Sequence, residues 1–151
     1  MIFNKVLSRK HLSLMSGILI GSSYPPGFGL IALIGLVPLI RIWLISSPST
    51  SLKYSFFSSL ACSIISLYWI GLNSGASFIP VLLSLIAAVL YLSIFWSAMG
   101  YIISWLHNHY KFTLYLIPLI WVSMEHVKSY GPLAFSWSSL ALTQTNFLPI
   151  L

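Results

Sequence analysis

A chain of 151 residues that is 58% hydrophobic and only 5% charged has too few charges to cover a water-soluble surface, since soluble domains carry roughly 25% charged residues. Its mean hydropathy of +0.96 points the same way. Seven Lys and Arg stand against a single acid, Glu125, but the basic residues are isolated and flank apolar runs, the pattern of topology signals rather than of a nucleic-acid surface.

The expected fold class is therefore all-α, a multispanning transmembrane helix bundle. Lys5, Arg9 and Lys10 precede the first apolar segment, 12–24. It gives roughly 20 Å of helix, short for a bilayer core of ~30 Å. No A-x-A-like site follows, so it reads as a span and not as a cleaved signal. Pro25, Pro26 and Gly27 then stop the helix, because proline removes a backbone donor and clashes with the preceding turn. The second span is 30–45, with Pro38 inside and Arg41 near its end. The two form a hairpin tipped by 25–29.

The sequence SSPSTS at 46–51 predicts a polar loop. The third span is 54–70, followed by a turn at 71–79 with Asn73, Ser74, Gly75 and Ser77. The fourth span, 80–106, opens on Pro80, where a missing amide costs nothing. At about 40 Å it must tilt or project beyond the core. A polar turn at 107–111 leads to the fifth span, 112–127, which contains Pro118. From 128 to 151 the pattern breaks up, with Pro132, Pro149, Gln144 and five Ser or Thr from Ser136 on. This predicts an outer interfacial loop leading to a further span opened by 147–151. With the N-terminus in the cytoplasm, Lys5, Arg9, Lys10, Arg41, Lys53 and Lys111 fall inside and only Lys128 outside.

Few residues here can carry chemistry. Glu125 lies one helical turn before Lys128, which predicts an i,i+3 pair at the outer membrane edge. An ionisable residue in a span also raises the suspicion of function. His107 and His109 lack the carboxylate or thiolate company of a metal site and read as an interfacial turn. Ser123, Glu125 and His126 fall on one helix without the converging geometry of a triad. Cys62 sits in mid-span, where hydrocarbon disfavours a thiolate. Trp69, Trp105, Trp121 and Trp137 lie near span ends, as in an aromatic belt. Gly17 and Gly21 have the G-x-x-x-G spacing that lets helices approach closely. No catalytic, cofactor or metal site follows from these residues.

Four ordered stretches resemble the apolipoprotein N-acyltransferase family. Ser23-Tyr24-Pro25-Pro26-Gly27-Phe28-Gly29-Leu30, with Leu36-Val37-Pro38-Leu39, is similar to the family's S-F-P-P-F-G-L … L-V-P-L hairpin. Leu67-Tyr68-Trp69-Ile70 closes the third span as its Y-W-I does. Pro118-Leu119-Ile120-Trp121-Val122 is followed by Glu125 and Lys128. Phe135-Ser136-Trp137, with Leu140 and Gln144, is similar to F-P-W-x-x-L-G-Y-S-Q. Gly27 is an insertion in the Pro-Pro-Phe-Gly run, Lys128 stands where the family has arginine, Ser136 replaces a proline, and Ala141, Leu142 and Thr143 replace Gly-Tyr-Ser.

The resemblance implies a bacterial inner-membrane, multi-pass protein whose helices carry a nitrilase-like domain on the periplasmic face. A Glu-Lys-Cys triad in that domain takes an acyl chain from a phospholipid as a thioester and passes it to the N-terminal cysteine amine of a lipoprotein. Phospholipid and apolipoprotein are the implied partners, with no cofactor and no nucleic acid; the oligomeric state stays open. The catalytic domain is absent from these residues, so the expectation is an inactive fragment with Pro25, Pro26, Trp69, Glu125, Lys128, Trp137 and Gln144 as structural or positioning residues. A non-catalytic small membrane protein and a broken-gene remnant are the alternatives, and the coding sequence downstream of Leu151 discriminates among the three.

Overall fold

The computed structural model describes residues 8–73, 75, 77–131 and 134–145. Lys5, Ser74, Pro132, Pro149 and the expected further span at 147–151 lie outside them. The described residues are helical, with no strand among them. Five helices follow in order: α1 Arg9–Ser22, α2 Leu30–Ile45, α3 Pro48–Leu67, α4 Phe78–His109 and α5 Thr113–Val127. A 3-10 turn, Tyr68–Leu72, prolongs α3, and a second one, Leu140–Gln144, follows α5.

Two of the helical segments, Pro48–Leu72 and Phe78–His109, are long and apolar enough to cross a membrane. Large apolar side chains face outward along the bundle, among them Ile34, Val37, Leu83, Ile94, Tyr115 and Leu119. The apolar pattern locates the helices but misses the polar first turns of α1 and α3. Thus α1 starts at Arg9 and not at 12, and α3 starts at Pro48 and not at 54. The expected loop at 46–51 is mostly helix because Pro48, with its φ already set, opens α3 behind an extended Ser47.

The helices α1, α3 and α4 pack in sequence, α2 lies against α1, and α5 rests chiefly on α4. Gly17 and Gly21 face α3, where a Cβ on Gly17 would collide with the Ser58 carbonyl oxygen and one on Gly21 would lie 2.9 Å from that of Cys62. Small residues at this seam let the two backbones meet. Buried serines then satisfy their hydroxyls on neighbouring carbonyls: Ser13 donates to Tyr54 at 2.5 Å, Ser16 to Gly35 at 2.6 Å and Ser104 to Ser46 at 2.6 Å. Ile20, Leu39, Trp43, Cys62, Met99, Ile103, Ile117 and Trp121 form the apolar core.

Candidate functional site

Every residue named as a positioning candidate lies at one end of the bundle, the end of the α1–α2 hairpin tip. Three pieces of chain converge there: the tip itself, the end of α3 with its 3-10 turn, and the segment after α5. Between them opens a groove of about 810 Å³. Pro25 and Pro26 line it from the tip, Trp69 from the end of α3 and Trp137 from the last segment, with Tyr24, Ile65, Tyr68 and Leu142 completing much of the wall. The two indoles meet edge to face, their centroids 5.6 Å apart. None of the described lining residues carries a charge.

The last segment is held in place by polar contacts from three directions. Glu125, near the end of α5, accepts the Trp121 indole N–H at 2.9 Å, the Ser139 hydroxyl at 2.8 Å and the Leu140 amide at 2.7 Å. It thereby satisfies the free amide that opens the Leu140–Gln144 turn, as a capping carboxylate does at a helix N-terminus. Lys128 is buried at 4% exposure and donates to the Ser138 carbonyl at 3.2 Å and to its hydroxyl at 3.0 Å. Burial pushes its ammonium below the ordinary lysine range, and the nearby Glu125 carboxylate pulls it back up. From the hairpin tip, the Tyr24 hydroxyl donates to the same Ser138 carbonyl at 2.9 Å.

Gln144 closes the arrangement by donating to the Gly29 carbonyl at 2.9 Å and to the Thr143 hydroxyl at 2.8 Å. Gly29 itself has no room for a side chain, because a Cβ would collide with the Thr143 carbonyl oxygen.

The direct Glu125–Lys128 pair expected from their spacing is not formed. The two side chains grip adjacent residues of the same segment instead, Lys128 on Ser138 and Glu125 on Ser139 and Leu140. A backbone donor and a hydroxyl at the start of a turn outcompete a lysine that is itself taken by a carbonyl. Tyr24, Ser138 and Ser139 were not singled out as contacts in the sequence. Tyr24 and Ser138 are 114 residues apart, and no periodicity or spacing links them.

The remaining candidates do not join this end as a reactive set. Ser123 is exposed, and His126 packs its ring on Tyr130 at 4.7 Å. His109 stacks on Trp105 at 4.6 Å at the other end of the bundle. Cys62 is a buried core residue.

Residues 16–151 match the family described as apolipoprotein N-acyltransferase N-terminal domain. A curated relative, the apolipoprotein N-acyltransferase of Geobacter metallireducens, is 28% identical over 155 residues, which cover 99% of this chain and 30% of the relative. The chain thus spans less than a third of that relative's length. No solved structure matches it. With most of its length matched, the chain belongs to the family of the apolipoprotein N-acyltransferase N-terminal domain.

Proposed function

We propose that the chain is the membrane-embedded part of an apolipoprotein N-acyltransferase, which moves a phospholipid acyl chain to the N-terminal cysteine amine of lipoproteins. In this reading the five helices span the bacterial inner membrane, with the N-terminus in the cytoplasm and the groove end outside. The observation that carries it is the groove, in which Pro25, Pro26, Trp69 and Trp137 come together. Its volume is that of a small-molecule site. An uncharged, aromatic wall at a membrane face suits the apolar chain of a lipid rather than its headgroup. Glu125, Lys128 and Gln144 act as positioning residues that fix the segment bearing Trp137.

Among the described residues none is set up as an activated nucleophile. Cys62 is enclosed in the core, and Glu125 is occupied by three donors. In this reading the acyl-transfer chemistry is supplied by groups other than these described residues. The test is photolabelling in vesicles with a phospholipid whose acyl chain carries a diazirine. Adducts should concentrate on Ile65–Trp69 and Trp137–Leu142 and fall in Trp137→Ala. Labelling spread evenly over the outward faces of all five helices would count against the groove as an acyl-chain site.

A further inference from the structure

The opposite end of the bundle carries a separate feature. Arg9 and Lys10 open α1, Arg41 lies in the last turns of α2, Lys53 in the first turns of α3, and Lys111 in the connection from α4 to α5. All five are exposed. Their elements are tied together at this end by the Ser13–Tyr54 and Ser104–Ser46 hydrogen bonds and by the Trp43 indole, which donates to Ser55 at 2.6 Å. The cations therefore share one end of the bundle, drawn from α1, α2, α3 and the α4–α5 connection.

Nothing in the chain neutralises that surface. The sequence has one acid, and Glu125 is at the far end of α5, held by Trp121, Ser139 and Leu140. The surface has an aromatic rim: Trp105 stacks on His109 at 4.6 Å, and Tyr110 lies 5.6 Å from Phe112. Trp105, Tyr110 and Phe112 are all partly open to the exterior, at 44%, 46% and 54%. Amphipathic rings beside cations are the furniture of a headgroup region.

We propose that this face binds the headgroups of anionic phospholipids, a lipid-selective surface distinct from the groove. Charge complementarity selects the sign of the ligand. The spread of the cations over separate elements suits several headgroups around a perimeter, and the aromatic rim supplies apolar contact that a soluble anion would not use. The proposal rests on the membrane-embedded reading but not on acyl-chain binding in the groove.

The test is native mass spectrometry of the chain in detergent doped with equimolar phosphatidylglycerol and phosphatidylcholine. At low salt, retained phosphatidylglycerol should exceed phosphatidylcholine on the order of tenfold, and the preference should shrink as salt rises. The triple variant Arg41→Gln, Lys53→Gln, Lys111→Gln should lose most of it, while Arg41→Lys keeps it. Inorganic phosphate at constant ionic strength should leave it unchanged. Equal retention of the two lipids by the unaltered chain overturns the proposal whether or not the triple variant folds. So does a folded triple variant with undiminished preference, or displacement of phosphatidylglycerol by phosphate. A negative photolabelling result at the groove leaves this outcome unaffected, so the two failures are distinguishable.

Discussion

The Tyr24 hydroxyl and the Lys128 ammonium converge on one acceptor, the carbonyl oxygen of Ser138, at 2.9 and 3.2 Å. A carbonyl has two lone pairs, so both donors are accommodated. One arrives from the hairpin tip and the other from the end of α5. This shared acceptor joins the first and last parts of the described chain and sets one wall of the groove.

Removing either donor should loosen the segment by different amounts. Tyr24→Phe deletes one neutral hydrogen bond and should cost about 0.5–1.5 kcal/mol. Lys128→Met deletes two charge-assisted contacts and should cost about 1.5–3 kcal/mol. Thermal unfolding in detergent reads both, and limited proteolysis after 128 reports whether the segment has detached. Equal stability of the two variants would contradict the ranking.

A charge swap should not rescue. Glu125 accepts the Leu140 amide and the Ser139 hydroxyl, and lysine has no acceptor. Glu125→Lys combined with Lys128→Glu should therefore be at least as unstable as Glu125→Gln. Glu125→Gln keeps one acceptor oxygen and should cost about 1–3 kcal/mol. Recovery of yield or melting temperature by the swapped pair would mean that the two residues act chiefly on each other.

Much of this architecture is legible in the sequence because strongly apolar helices announce themselves by composition. Pro25-Pro26-Gly27 marks the first break, and the runs around Leu36 and Ile120 mark α2 and α5. What escaped was the polar ends and the cross-chain contacts. Ser49–Ser51 reads as loop by composition, yet Pro48 starts a helix through it. Glu125 and Lys128 have the spacing of a pair, yet spacing says nothing of the amide at Leu140 or the carbonyl at Ser138 that compete for them. Trp69 and Trp137 were visible as candidates, but their edge-to-face contact depends on the hairpin tip, α3 and the last segment all closing together.

The Trp69–Trp137 contact should show coupling. Edge-to-face pairs contribute about 0.5–1.5 kcal/mol beyond area burial. Trp69→Ala and Trp137→Ala should each destabilise the chain, and the double variant should cost less than their sum by that amount. Strict additivity in the double-mutant cycle would show that the rings act independently.

Gly17 and Gly21 should differ in their tolerance of alanine. At Gly17 the new methyl meets a backbone carbonyl and the Cβ of Ala61 at 2.8 Å, whereas at Gly21 the nearest atom is the Cys62 carbonyl oxygen at 2.9 Å. Overpacking of this kind costs about 1–3 kcal/mol, and Gly17→Ala should lie at the upper end. Melting temperatures in one detergent suffice, and a reversed order would mean that α1 slides to relieve the contact.

The orientation expected from charge is open to direct labelling. Five described cations, Arg9, Lys10, Arg41, Lys53 and Lys111, lie at one end, and Lys128 lies at the other. Positive residues are retained on the cytoplasmic side, so the groove end should face outward. Ser49, Gly75 and Ser136 are all exposed and suit single-cysteine probes. Cys62 is buried and can be replaced by alanine to remove background. In intact cells a membrane-impermeant maleimide should modify Gly75→Cys and Ser136→Cys and spare Ser49→Cys until the cells are opened. Ser136 is the better probe of the last segment than Ser138, whose carbonyl and hydroxyl are both engaged. Modification of Ser49→Cys in sealed cells would invert the assignment and move the basic surface to the outer leaflet.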